Sequence, residues 1–186
     1  MKINLFFDLK MDSELYKNIA NSTAHRASRE QNADFILNNP ELFSDFLKLA
    51  FDTNDKNHHK ACWILELVLE EKIHFLTPFL NQFCNKITNY TNESALRSIS
   101  KICLFLAKHI SLSKIQDQKI IEACFDWLII ENGKVATKAY SIRALFEFGK
   151  KSDWIYPELQ RILSEDYVKH SAAYKAVARE VLKKIK

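Results

Sequence analysis

Residues 138–163, KAYSIRALFEFGKKSDWIYPELQRIL, echo residues 60–83, KACWILELVLEEKIHFLTPFLNQF. In both, a lysine is followed at once by alanine, seven places on by leucine, and later by Pro-x-Leu. Taking Lys60, Arg97, Lys138 and Lys175 as position zero gives separations of 37, 41 and 37 residues. These lie inside the range of roughly 20–50 residues that marks stacked repeats. Leu67, Leu104, Leu145 and Leu182 stand seven places on, and Ala61, Ser98, Ala139 and Ala176, all small, stand one place on. Positions two, three, six and seven fall on one stripe of a helix with about 3.6 residues per turn, so that stripe is the expected buried face.

The prolines test this register independently. Pro40, Pro78 and Pro157 each precede a leucine by two and are 38 and 79 residues apart, one period and two. Proline suits the first turn of a helix, where its missing N–H costs nothing. Each is therefore expected to open the second helix of a hairpin whose first helix carries the leucine. The spacing predicts helices near 12–21, 26–38, 40–52, 58–71, 75–90, 93–109, 114–131, 134–150, 155–165 and 169–185. Polar connections such as DTNDKN (52–57) and TNYTNES (88–94) supply Asp and Asn as N-caps.

Composition points the same way. The chain of 186 residues holds only 2 Gly and 3 Pro, far below the usual shares of about 7% and 5%. Glycine-dependent hairpins and phosphate loops are therefore not expected. Gly133 and Gly149 fall near helix ends, where a left-handed cap is expected. INLFF near the start is much shorter than a membrane span of about 20 residues and lacks the marks of a signal peptide. Cys62, Cys84, Cys103 and Cys124 are far apart among apolar neighbours and read as reduced core residues. A cytoplasmic protein is expected.

Residues 1–93 hold 10 Lys/Arg against 13 Asp/Glu, net −3, and residues 94–186 hold 17 against 10, net +7. The basic column at position zero, with its helical neighbours, makes Lys60, Arg97, Lys101, Lys138, Lys175 and Arg179 candidate binding residues, forming a stripe that could follow a phosphate backbone. The other reading is a solvated face with packed lysine stems. The histidines (25, 58, 59, 74, 109, 170) are scattered, and there is no H-E-x-x-H, no zinc spacing and no G-x-S-x-G. No catalytic, cofactor-binding or metal-ligating residues are expected.

The pattern of a basic residue, a small residue three later and a leucine seven later resembles the HEAT repeat. The matching sets are Lys60/Trp63/Leu67, Arg97/Ser100/Leu104, Lys138/Ser141/Leu145 and Lys175/Ala178/Leu182. Trp63 is larger than the pattern asks, and Asn54, Thr91, Asn132 and Lys169 stand where the family tends to place Asp. The resemblance covers residues 25–186, and SREQNADFILNNPELFSDFLKLAF (28–51) also resembles the opening unit of small bacterial HEAT-like proteins of unassigned function. It implies an all-α, right-handed superhelix of about four hairpins, HEAT/armadillo-like. The units would be an N-terminal cap (1–24), repeats at 25–57, 58–93, 94–133 and 134–168, and a C-terminal capping helix (169–186).

The expected function is a non-enzymatic protein- or peptide-binding scaffold. Its concave surface would be lined by the second helices PFLNQFCNKITNY, QDQKIIEACFDWLI and PELQRILSEDYV. The alternative is a nucleic-acid-binding protein using the basic half. The resemblance extends to HEAT-like DNA glycosylases, which use aromatic residues and an Asp in a basic groove. The candidates here are Asp126/Trp127, Asp153/Trp154 and Trp63/Glu66. Neighbours on a helix point about 100° apart, so Asp126 and Trp127 are not expected to share a pocket, whereas Trp63 and Glu66, at i and i+3, are.

Overall fold

The computed structural model describes residues 13–166 and 170–185; residues 1–12 of the expected N-terminal cap, 167–169 and 186 lie outside them. Ten α-helices and no strand are found among the described residues. They are α1 (Ser13–Asn21), α2 (Arg26–Asn38), α3 (Phe43–Phe51), α4 (His58–Glu71), α5 (Leu80–Lys86), α6 (Glu93–His109), α7 (Lys114–Ile129), α8 (Val135–Gly149), α9 (Ile155–Asp166) and α10 (Ala172–Leu182). The sequence-based boundaries agree to within a few residues for most of them. The exception is α5, whose flanks Ile73–Phe79 and Ile87–Asn89 tighten into 3-10 turns.

Local chemistry sets several helix starts. Asn92 accepts the N–H groups of Ser94 and Ala95 at α6. Ser113 and Gln116 form a reciprocal capping box at α7. Pro40 opens the 3-10 turn leading into α3, and Pro157 sits in the first turn of α9. Pro78 instead lies inside the 3-10 stretch before α5; with no N–H to give, it helps keep that stretch from being regular α-helix.

The first helices pack in series: α2 on α4, α4 on α6, α6 on α8 and α8 on α10. α3 packs on α4, and α7 packs more extensively on α8, the helix that follows it, than on α6. A single apolar cluster runs from Leu15 to Ile185. α6 lies between two neighbours, and Ile99, Ile102, Cys103 and Leu106 are all fully buried.

The leucines join this core unequally. Leu104 and Leu145 are buried, while Leu67 and Leu182 are half-buried against it. The position buried in all four helices is the preceding one: Glu66, Cys103, Ala144 and Val181. Ser100, Ser141 and Ala178, three places after position zero, are also buried. Small side chains there let neighbouring helices approach closely.

The glycines do not act as left-handed caps, since no described residue has a positive φ. Gly149 answers a close approach instead: a Cβ there would lie 2.1 Å from the Tyr156 ring. That ring stacks on Phe146 with centroids 5.7 Å apart. Gly149→Ala should displace it and cost about 1–3 kcal/mol. Thermal unfolding checks this as a fall of a few degrees in Tm, about 2–4 °C per kcal/mol for a chain of this size.

Candidate functional site

The exposed large apolar side chains among the described residues are Ile115, Ile129, Ile130 and Trp154, at 69%, 57%, 48% and 59% exposure. Three belong to α7 or its end, and the fourth lies just before α9. Trp154 stacks on Phe125 of α7 with centroids 5.8 Å apart and planes 28° apart. The tryptophan is therefore held in one orientation while leaving most of its surface in water.

Three clefts meet around this feature. One, of about 480 Å3, lies between the 88–93 turn, the end of α7 and the start of α8, with Tyr90, Asp126, Trp127 and Ile130 on its walls. A second, of about 780 Å3, separates α7 from the 151–154 turn. A third, of about 660 Å3, runs between Phe125, Ile129, Trp154 and Pro157. Asp126 borders the first two, and Phe125 and Trp154 border the last two, so the clefts form one continuous face.

The charges on this face are mixed. Glu93 and Lys134 pair at 3.1 Å on the rim of the first cleft. Arg161, on the third, is held by Glu158 at 2.6 Å and Glu165 at 2.9 Å. Burial raises the pKa of Asp117, with Lys151 opposing the shift. Asp126 is exposed and has no side-chain hydrogen bond or ion pair among the described residues.

The six basic candidates do not form an open stripe. Lys138 is 1% exposed and donates to the Leu128 carbonyl in the last turn of α7 at 2.9 Å. Lys60 donates to the Ala20 carbonyl in the last turn of α1. In both, an ammonium meets the negative end of a helix dipole. Arg97 and Lys101 are committed to Glu66, Lys175 is partly buried, and only Arg179 of the six is exposed. At position zero Lys60, Arg97 and Lys138 each bond another helix, so a phosphate chain would meet these three already engaged.

Glu66 is 2% exposed. Arg97 donates to it at 3.0 and 3.3 Å, Ser98 at 2.6 Å and Lys101 at 3.0 Å, with Lys101 also reaching Glu70 at 3.1 Å. Burial works against the Lys101 ammonium, but its bonds to Glu66 and Glu70 outweigh this and raise its pKa. Arg143 and Glu180 make a second bridge, from α8 to α10, at 2.9 Å.

Glu66 and Trp63 do not share a pocket as expected: the carboxylate is bonded to α6, while the Trp63 ring packs edge-on to His59 at 5.0 Å. Asp126 and Trp127, expected to diverge, do share one, because the first cleft wraps the end of α7. All four cysteines are buried and free, and burial pushes the Cys62 thiol up to about 12 and Cys84 to about 11. Among the described residues no group of three His, Cys, Asp or Glu side chains is placed to hold a metal ion. The expected second-helix surface includes α7 and α9, but Ile115, Ile130 and Trp154 lie just outside the stretches named for it, and Ile115 and Ile129 look like core residues in a helical pattern. One available signal was the pair Ile129–Ile130, which extends the apolar run past the buried stripe.

A family model described as HEAT repeat domain matches residues 11–185. No curated protein matches the chain, and no solved structure does either.

Glu66→Gln should destabilise the fold by roughly 2–4 kcal/mol. Removing one member of a buried ionic cluster strands the rest, and Arg97 and Lys101 recover part of the loss through their partial contact with water. Urea denaturation of the variant beside the wild type measures this.

Proposed function

The chain belongs to the HEAT repeat family, and from that premise we propose that it is a non-enzymatic scaffold binding a protein or peptide partner on the face built by α7 and the start of α9. The observation that carries this reading is the gathering of exposed apolar side chains around the stacked Trp154–Phe125 pair. Exposed apolar surface beside clefts of several hundred Å3 favours association with a partner. A tryptophan held in place by a second ring loses little conformational freedom on docking, as suits an interface anchor.

Nucleic-acid binding is disfavoured by the commitments of the basic residues. Lys60, Arg97, Lys101 and Lys138 serve helix ends and Glu66, and the docking face carries carboxylates as well as bases. No helix among the described residues is long and apolar enough to cross a membrane, and a cytoplasmic location belongs to the same proposal. The reading includes no catalytic, cofactor or metal role.

Trp154→Ala should weaken partner binding by at least about 20-fold, the effect of losing a hot-spot anchor worth about 2 kcal/mol. Folding should change little, because the ring is mostly in solvent. Quantitative comparison of proteins retained by the wild type and the variant from native extract reads this out. Equal retention of every captured protein removes the face from the proposal. Micromolar binding to random-sequence DNA that falls steeply with added salt would support the nucleic-acid reading instead.

A further inference from the structure

Asp126 is placed against local helix physics. It lies in the last turn of α7, where the helix dipole favours a cation, and no basic residue of α7 occupies that turn. Lys138 reaches the turn from α8, but its ammonium bonds the Leu128 carbonyl. Asp126 remains exposed, without a partner among the described residues. It stands where two clefts meet, with Trp127 and Ile130 on one side and Phe125 and Trp154 on the other.

The charges around it leave a small excess of carboxylates. The second cleft carries Asp117, Glu122 and Asp126 against Lys114 and Lys151. Glu122 accepts from Gln118 at 2.8 Å, and one Asp117 oxygen is buried without a partner. The bases on the other rims are engaged, Lys134 by Glu93 and Arg161 by Glu158 and Glu165. The centre of the face is apolar and locally acidic, although residues 94–186 as a whole are net basic.

We propose that this face selects a polypeptide segment that brings an arginine to Asp126 between aliphatic or aromatic anchors lying in the adjoining clefts. Arginine suits the place better than lysine: its guanidinium is weakly hydrated, stacks on aromatic rings and meets a carboxylate through two parallel hydrogen bonds. This partner class rests on the scaffold reading and sharpens it, because an acidic segment would meet like charge at the centre of the face.

The test is selection of random twelve-residue peptides on the immobilised full chain, followed by synthesis of the enriched sequence. The expected sequence carries a basic residue, arginine before lysine, beside aliphatic or aromatic residues, and its binding is lost in Trp154→Ala. Asp126→Asn should weaken it at least tenfold and Asp126→Glu should retain most of it, with unfolding curves matching the wild type. A peptide with glutamate in place of its arginine should bind Asp126→Arg better than it binds the wild type. Peptides that depend on Trp154 but lack a basic residue, or that Asp126→Asn weakens less than twofold, overturn the arginine assignment and leave the scaffold reading standing. Failure to select any peptide sensitive to Trp154→Ala overturns both.

Discussion

A carboxylate buried between two helices constrains everything around it. Glu66 occupies a buried position of α4, where the later repeats place Cys103, Ala144 and Val181. An unpaired charge there would be prohibitive, so α6 must present Arg97, Ser98 and Lys101 together. Those side chains can do so in only one register of α6 on α4. The apolar stripe supplies most of the driving force for stacking, but it is tolerant of sliding. The ionic cluster is not, and it fixes where one repeat stops relative to the next.

The basic residues at position zero follow the same logic in a different form. Lys60 and Lys138 each reach the last turn of another helix, α1 and α7, and bond a carbonyl that the helix itself leaves over. Arg97 uses the same position to hold Glu66 instead. In three of the four repeats the charge at position zero thus serves a joint between helices. The array itself is held by α4, α6 and α8, while the exposed rings and the unpaired carboxylate lie to one side of it, where changes disturb packing little.

Much of the fold was legible in the sequence because it rests on period. The spacing of Lys60, Arg97, Lys138 and Lys175, with a leucine seven places on, located the first helices, and Pro40 and Pro157 located the approach to α3 and the first turn of α9, whereas Pro78 fell inside a 3-10 stretch. The sequence could not rank burial within the stripe, because Leu67 and Leu104 have the same pattern and different neighbours. Nor could it separate a lysine at a helix end from one in water, since both read as charge on a helix. The site was less legible still. Ile115, Ile129 and Trp154 are exposed only because of how α7 meets α8 and the segment before α9, and adjacency in sequence misled for Asp126 and Trp127, which border one cleft at a helix end. The glycine at 149 was placed near a helix end correctly, but its cause, the Tyr156 ring, is a tertiary contact that no local pattern encodes.

The preference of α7 for α8 over α6 has a topological corollary. α6 and α7 pack little on each other, so a break in the short link 110–113 would leave the helix pairs on either side of it intact. The broad α6–α8 contact would then be the surface on which they find each other again. The halves on either side of that link are therefore joined chiefly by packing, through the one apolar core they share, and only secondarily by the chain itself.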